Sequence, residues 1–238
     1  TSMGNTSSFV QSAKKVIVEV NVTQPVALEG MHDSYVPLDP PCREAIPVVE
    51  SGSIIGTPYV PCEVEKIAAV VACDITDTER VKEAVKATMD KFGRVDILMN
   101  NAGTGAVANA EDITDEQFKK ELDIDLFGTF VCSREFGKEM IKAQYGRIIN
   151  IASMYGLVGN LIVGSSPYHA AKGGVVNLTR ALAAEWGKHG ITVNSICPGY
   201  FYTDLTTETL DSDYFQDIAK RSIPMARYGK AGELAPCA

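Results

Sequence analysis

From residue 67 onward, β-branched runs alternate with segments of helical period, and this alternation restricts the possible folds more than any other feature of the chain. Ile67–Ile75 reads as a buried strand. Thr76-Asp77-Thr78-Glu79 has the spacing of a capping box, and Val81, Val85, Met89 and Phe92 then recur at helical intervals. Val95–Met99 is a second strand, and Thr114-Asp115-Glu116-Gln117 opens a second helical region running to about Ala143. Arg147–Ile151 is a third strand, Tyr168 to about Lys188 a third helix, and Ile191–Ile196 a fourth strand. Parallel strands need long crossovers, and helices of this length supply them. The expected class is α/β, a parallel sheet covered by helices.

The chain before residue 67 has a different character. Seven of the eleven prolines fall in residues 1–61, and the next is Pro167. Lys15–Val22 is rich in β-branched residues and reads as a strand. Gln24 to Cys62 is an irregular passage punctuated by Pro and Gly, unusually long for the inside of one domain.

Length and composition narrow the function classes. The chain has 238 residues, 45% of them hydrophobic and 22% charged, enough to bury a core and too apolar for a disordered chain. No apolar run approaches the ~20 residues of a membrane helix, and the first residues lack the basic and apolar regions of a signal peptide. The formal net charge is −8 and no Lys/Arg cluster occurs, which argues against nucleic acid or an anionic membrane as partner. Six cysteines without a C-x-x-C pair point to reduced thiols in the cytoplasm, with neither a disulfide framework nor a metal site.

Three local features carry chemistry. Asn100-Asn101-Ala102-Gly103 directly follows a strand, and open α/β sheets bind ligands at such strand ends. Tyr168 and Lys172, at i and i+4, share one helix face. A tyrosine is a poor base at neutral pH, and an adjacent lysine cation favours its phenolate. Ser153 follows another strand, fifteen residues before Tyr168, where a hydroxyl can bond a substrate oxygen while the tyrosine exchanges its proton. Taken singly, each has an ordinary reading: a turn, a surface pair, a loop or capping serine.

In this order, and with Asp74 in Cys-Asp-Ile-Thr-Asp and the run Val193-Asn194-Ser195-Ile196-Cys197-Pro198-Gly199 followed by Thr203, the features resemble the short-chain dehydrogenase/reductase family. The resemblance runs from about Cys73 to the last residue and leans toward enzymes of sugar acids, polyols and related ketones. It implies a Rossmann-like doubly wound parallel sheet, NAD or NADP as cofactor, a small-molecule alcohol or ketone as substrate, and a homodimer or homotetramer built on the helices holding Phe127 and Tyr168. Tyr168 would be the general acid/base, Lys172 would favour its phenolate and hold the nicotinamide ribose, and Ser153 would orient the carbonyl. Asp74 would lie against the adenine, Asn101, Ala102 and Gly103 along the middle of the cofactor, and Pro198, Gly199 and Thr203 at the nicotinamide end.

The sequence departs from the family pattern in three places. Asp125 stands where the family has an asparagine whose backbone carbonyl holds a proton-relay water; a backbone role survives that change, so Asp125 stays among the catalytic residues. The Ser153–Tyr168 gap is longer than is common, with the extra length in a substrate-side loop, Gly156–Pro167. The sequence contains no T-G-x-x-x-G-x-G turn; Gly52-Ser53-Ile54-Ile55-Gly56-Thr57-Pro58 puts proline, which lacks a backbone donor, where the last glycine belongs. The expected sheet is thus incomplete at its beginning, and at Gly232-Glu233-Leu234-Ala235 it stops short of a final strand. Lys15–Val22 is the strand-like segment able to fill the first strand's place, beside the strand ending at Asp74 or the one ending at Asn100.

Residues 1–71 resemble the acetyl-CoA hydrolase/succinyl-CoA:acetate CoA-transferase family through Lys15–Asn21, Leu28-Glu29-Gly30-Met31-His32-Asp33, Ile55-Gly56-Thr57-Pro58-Tyr59 and Lys66-Ile67-Ala68-Ala69. The glutamate that this family acylates lies beyond the stretch. Two segments follow, a CoA-transferase-like 1–71 and a dehydrogenase-like 72–238. They meet inside one strand, Val70–Asp74, where a two-domain protein has a polar linker, which points to a joined chain. Beside the oxidoreductase stand two alternatives: a CoA-transferase-related fragment, and a joined chain without activity.

Overall fold

The computed structural model describes residues 16–20, 35–37, 59–61, 67–105, 107–202, 206–230 and 233–234. Its strands are β1 (Val16–Val20), β2 (Tyr35–Pro37), β3 (Tyr59–Pro61), β4 (Ile67–Ala72), β5 (Ile97–Asn100), β6 (Gly146–Ile151) and β7 (Ile191–Ile196). Its helices are α1 (Thr78–Phe92), α2 (Asp115–Leu122), α3 (Thr129–Ala143), α4 (Ser166–Trp186), α5 (Thr207–Leu210) and α6 (Asp213–Ser222).

β5, β6 and β7 form a parallel sheet in that order. Ile97 pairs with Arg147 through to Asn100 with Asn150, and Gly146 with Ile191 through to Ile151 with Ile196. The middle of β6 is buried at Ile148, Ile149 and Asn150 in succession, as expected of a strand covered on both faces. Helix α3 packs on β5 and β6, and α4 on β7. The core joins Val81 and Val85 of α1, Val131, Phe136 and Met140 of α3, Ile148 of β6, and Ile191 and Val193 of β7. The close packing needs a glycine at 146, where a Cβ would lie 2.5 Å from the Met140 sulfur. Cys73, Cys132 and Cys197 form no disulfide.

Local hydrogen bonding explains where the helices start. The Thr114 box forms as expected: its hydroxyl accepts from the Gln117 amide at 3.2 Å, and the Gln117 side chain accepts from the Thr114 amide at 2.8 Å. The box expected at Thr76 does not form. The Asp74 carboxylate accepts from both the amide and the hydroxyl of Thr76, at 2.9 and 2.8 Å. Asp77 caps α1 in its place, accepting from the amides of Glu79 and Arg80. Gly93, at φ 72°, closes that helix by donating its amide to the Met89 carbonyl.

The single helical region expected from Thr114 to about Ala143 has a π segment, Asp123–Gly128, between α2 and α3. Apolar spacing does not show a one-residue widening of this kind, which is enriched at functional sites. The third helix begins two residues before Tyr168 and ends at Trp186. β1 pairs with β4, the strand leading to Asp74, in a two-stranded sheet, and β2 pairs antiparallel with β3. Of the two neighbours expected for Lys15–Val22, β1 thus takes the strand leading to Asp74; among the described residues, no pairing joins β1 to β5.

Val71–Pro198 lies in one compact unit, and Gly199–Ala238 in the other. In the latter, Tyr200 meets Phe215 and Tyr228 edge-to-face at 5.9 and 5.6 Å, and the Tyr228 hydroxyl donates to the Phe215 carbonyl.

One buried polar chain crosses the sheet. The Asn100 side-chain amide donates to Asn150 Oδ1 at 2.7 Å and to Ser133 Oγ at 2.9 Å, and the Asn150 amide donates to Thr179 Oγ1 at 2.9 Å. β5, β6, α3 and α4 are thereby cross-linked. Asn150 is fully buried, so Asn150→Ala orphans groups that water cannot reach, at a cost of about 1–3 kcal/mol each. Denaturant unfolding measures the loss; a variant within ~0.5 kcal/mol of the wild type contradicts the network's role.

Candidate active site

Parallel strands bring their C-terminal ends to one edge of the sheet, and the polar residues singled out in the sequence lie just beyond those ends. Asn101–Gly105 follows β5, Ser153 follows β6, and Pro198 follows β7. The turn after β6 is tied to the end of β7, because Met154 donates its amide to the Pro198 carbonyl at 2.9 Å. Ser153 is buried, and its hydroxyl oxygen accepts from the Tyr155 amide at 3.1 Å, capping the 3-10 turn Met154–Gly156. That bond leaves the hydroxyl proton available to a partner.

Lys172 reaches this edge from the first turns of α4 and is 5% exposed. Its ammonium donates to the Ile151 carbonyl at 3.1 Å and lies 3.1 Å from Asp125 Oδ2. Asp125, in the π segment, is fully buried. Its Oδ1 accepts from the Thr104 amide at 2.7 Å, and its backbone carbonyl accepts from the Thr129 hydroxyl at 2.8 Å. Gly103 runs against this pair: a Cβ there would sit 3.1 Å from both Asp125 Oδ1 and Lys172 Nζ. The Lys172 ammonium lies 5.5 Å from the centre of the Tyr168 ring, and a Cβ on Gly105 would lie 3.8 Å from that ring's Cδ2.

Burial pushes the Asp125 carboxyl above its ordinary value, and the opposing pull of Lys172 and the Thr104 amide does not cancel it. The unfolded chain therefore ionises at Asp125 before the folded chain does. Between the ordinary carboxylate value and the raised one, the folded state binds more protons and loses stability as pH rises. Asp125→Asn removes this dependence. The melting temperature of the wild type minus that of the variant is expected to fall as pH rises from the acidic side of that window; a flat difference contradicts the assignment.

Gly103, Thr104, Asp125, Tyr168 and Lys172 thus come together, and Ser153 and Pro198 are linked through Met154. Asp74 follows β4, half-buried, with its carboxylate engaged by Thr76. Asn101 is exposed, Ala102 buried and Gly199 exposed. Thr203 lies outside the described residues. Sequence reading passed over Thr104, the Ile151 carbonyl and the Asn150–Thr179 link. A lone polar residue inside Ile148-Ile149-Asn150-Ile151 was the signal for the last of these.

The short chain dehydrogenase family model matches residues 60–213. The chain belongs to the short-chain dehydrogenase family. A second model, the acetyl-CoA hydrolase/transferase N-terminal domain, matches residues 1–72. The chain is 38% identical over 168 residues to a 3-oxoacyl-[acyl-carrier-protein] reductase of Synechocystis sp., covering 71% of this chain and 65% of that one. It is 35% identical over 172 residues to an L-tagatose-forming galactitol 2-dehydrogenase of Cereibacter sphaeroides, covering 72% and 67%. A gluconate 5-dehydrogenase of Burkholderia cenocepacia, solved in complex with NADP and tartrate, is similar in structure at a TM-score of 0.67 and 30% identity, covering 71% of this chain and 65% of that one. The chain therefore spans about two thirds of the length of these relatives. Its fold is the open, Rossmann-like parallel sheet of that family.

Proposed function

We propose that residues from about 72 onward are the catalytic core of an NAD(P)-dependent oxidoreductase that interconverts an alcohol and a ketone, and that residues 1–71 are a separate CoA-transferase-like segment. The observation that carries this reading is the Lys172 ammonium, anchored by Ile151 and Asp125 within 5.5 Å of the Tyr168 ring at the sheet's C-terminal edge.

The residues present fit the nicotinamide-ribose end of the cofactor. The Ile151 carbonyl takes one N–H of the ammonium and the Asp125 carboxylate faces it as an ion pair at 3.1 Å; an ammonium has three donors, so an N–H is left for a ribose hydroxyl. Gly103 places no side chain beside it. When bound, the nicotinamide supplies hydride acceptance or donation. Tyr168 exchanges the proton of the alcohol oxygen, Lys172 offsets the charge left on the phenolate, and Ser153 donates its hydroxyl proton to the substrate oxygen. Asn101, Ala102, Gly103 and Pro198 line the cofactor's path, and Asp74 borders its adenine. The substrate class is a sugar acid, a polyol or a related ketone, in keeping with the galactitol and gluconate dehydrogenases among the relatives.

The chain acts as a homodimer or homotetramer through the helical regions holding the half-exposed Phe127 and Tyr168, and it works in the cytoplasm. No described helix is long and apolar enough to cross a membrane. The rival CoA-directed reading rests on residues 1–72.

The test is an assay of the purified chain with galactitol, gluconate and a 3-oxoacyl thioester, each with the matching oxidised or reduced NAD(P), followed by nicotinamide absorbance. Turnover of any one supports the reading. Absence of turnover, with binding of an acyl-CoA, transfers the function to the first segment.

A further inference from the structure

We propose that His169 is a positioning residue whose imidazole locks the first turn of α4, which carries Tyr168, and holds that turn against the Ser153 turn by stacking on Tyr155. The start of a helix is its weakest part, because the first amides have no intrahelical partner. In α4 this weakness falls on the tyrosine. Pro167 has no N–H to give, and the side chain of Ser165, the capping residue, makes no capping bond.

His169 supplies the missing tie. Its amide donates to the Ser165 carbonyl at 3.1 Å, and its ring Nδ1 lies 2.8 Å from the same oxygen and 3.2 Å from Ser165 Oγ. A carbonyl only accepts, so Nδ1 carries the proton. In the neutral ring Nε2 is then a bare lone pair, and it is buried with no hydrogen-bond partner among the described residues. The imidazole therefore acts through Nδ1 and through its faces. It stacks on the Tyr155 ring, with centroids 4.8 Å apart and planes tilted by 31°. Tyr155 in turn donates its amide to Ser153 Oγ at 3.1 Å. The path from the candidate acid/base to the hydroxyl that orients the substrate is thus short: Tyr168, His169, Tyr155, Ser153. A second close approach backs it. A Cβ on Gly156 would lie 2.7 Å from the Lys172 carbonyl oxygen, so the same turn also rests on α4 further along the helix. The effect on catalysis rests on the reading given under the proposed function; the lock itself does not.

The tautomer is the first test. Nitrogen NMR of the isotope-labelled wild type is expected to show the neutral His169 ring protonated at Nδ1, and a ring protonated at Nε2 overturns the lock. Three variants then separate the bond from the stack. His169→Phe keeps a ring and loses the Nδ1 donor, His169→Asn keeps a donor and loses the ring, and His169→Ala loses both. Hydrogen-exchange protection of the amide at residue 169 is expected to fall by roughly threefold to tenfold in the phenylalanine and alanine variants, the equivalent of one neutral hydrogen bond, and to stay near the wild-type level in the asparagine variant. Unchanged protection in the phenylalanine variant overturns the tie to Ser165. Where the wild type turns over, kcat is expected to fall by about tenfold in the alanine variant with substrate KM little changed, and the other two variants are expected to lie between. The same His169→Ala change in a Tyr168→Phe background is expected to cost much less, because the group being positioned is already gone. An equal loss in both backgrounds marks a general weakening of the fold and overturns the positioning role, as does an unaltered kcat. If the alanine variant does not fold, the phenylalanine and asparagine variants make the same comparisons. If the wild type does not turn over, tautomer and protection still decide the lock, and only the oxidoreductase reading falls.

Discussion

Tyr168→Phe is expected to lower turnover by about 10²–10⁴-fold, the usual worth of a general acid/base, while leaving the melting temperature close to that of the wild type. Among the described residues, the contacts around this side chain are made by its ring. Lys172 lies over its face at 5.5 Å, and the backbone at Gly105 runs along its edge. Phenylalanine keeps that ring and removes only the proton-exchanging oxygen. Loss of activity with an unchanged fold is then a chemical effect and not a packing one. Steady-state kinetics beside circular dichroism provide the check: a phenylalanine variant with wild-type kcat removes Tyr168 from the reaction.

The second large effect is weak cofactor binding. Dinucleotides are ordinarily held by a glycine-rich turn that aims backbone N–H groups of a helix N-terminus at the pyrophosphate. The 238 residues contain no such turn, and Gly52–Pro58 ends in proline, which has no N–H to give. The helix after β4 offers no substitute. Its first-turn amides at Glu79 and Arg80 are taken by the Asp77 carboxylate, whose charge repels phosphate. A helix end contributes about 0.3–1 kcal/mol toward an exposed anion and up to ~2 kcal/mol when partly buried. Missing backbone donors add to the loss, and each ~1.4 kcal/mol is tenfold in affinity. NADH and NADPH are therefore expected to bind one to several orders of magnitude more weakly than to an enzyme that keeps the turn. Calorimetric titration of the chain with each nucleotide measures this. Micromolar or tighter binding shows that another route holds the pyrophosphate, and the argument from the missing turn fails.

Much of the architecture was legible in the residues themselves. The β-branched runs at Arg147–Ile151 and Ile191–Ile196 became β6 and β7 almost residue for residue; β6 is buried in succession at Ile148, Ile149 and Asn150, while β7 alternates, burying Ile191 and Val193 and exposing Thr192 and Asn194. The Thr114 box could be read directly because its partners lie three residues apart and nothing else competes for them. At Thr76 the same pattern misled. Asp74, two residues upstream, takes the threonine's amide and hydroxyl for its own turn, and a short polar side chain always has such local alternatives.

The pairing of Tyr168 with Lys172 follows from helix geometry, so one turn of sequence determined it. What surrounds that pair did not follow. Asp125 lies 47 residues before Lys172 in the chain, and a π segment that apolar spacing does not reveal helps to present it. Nothing local announces that its carboxylate faces a lysine and a loop amide and not water. Asn100 and Asn150 likewise meet only because β5 and β6 are in register. Local hydrogen bonds and periodicities are properties of a few neighbouring residues and can be read along the chain. The partner of a buried charge is decided by which strands lie side by side, and only the folded sheet settles that.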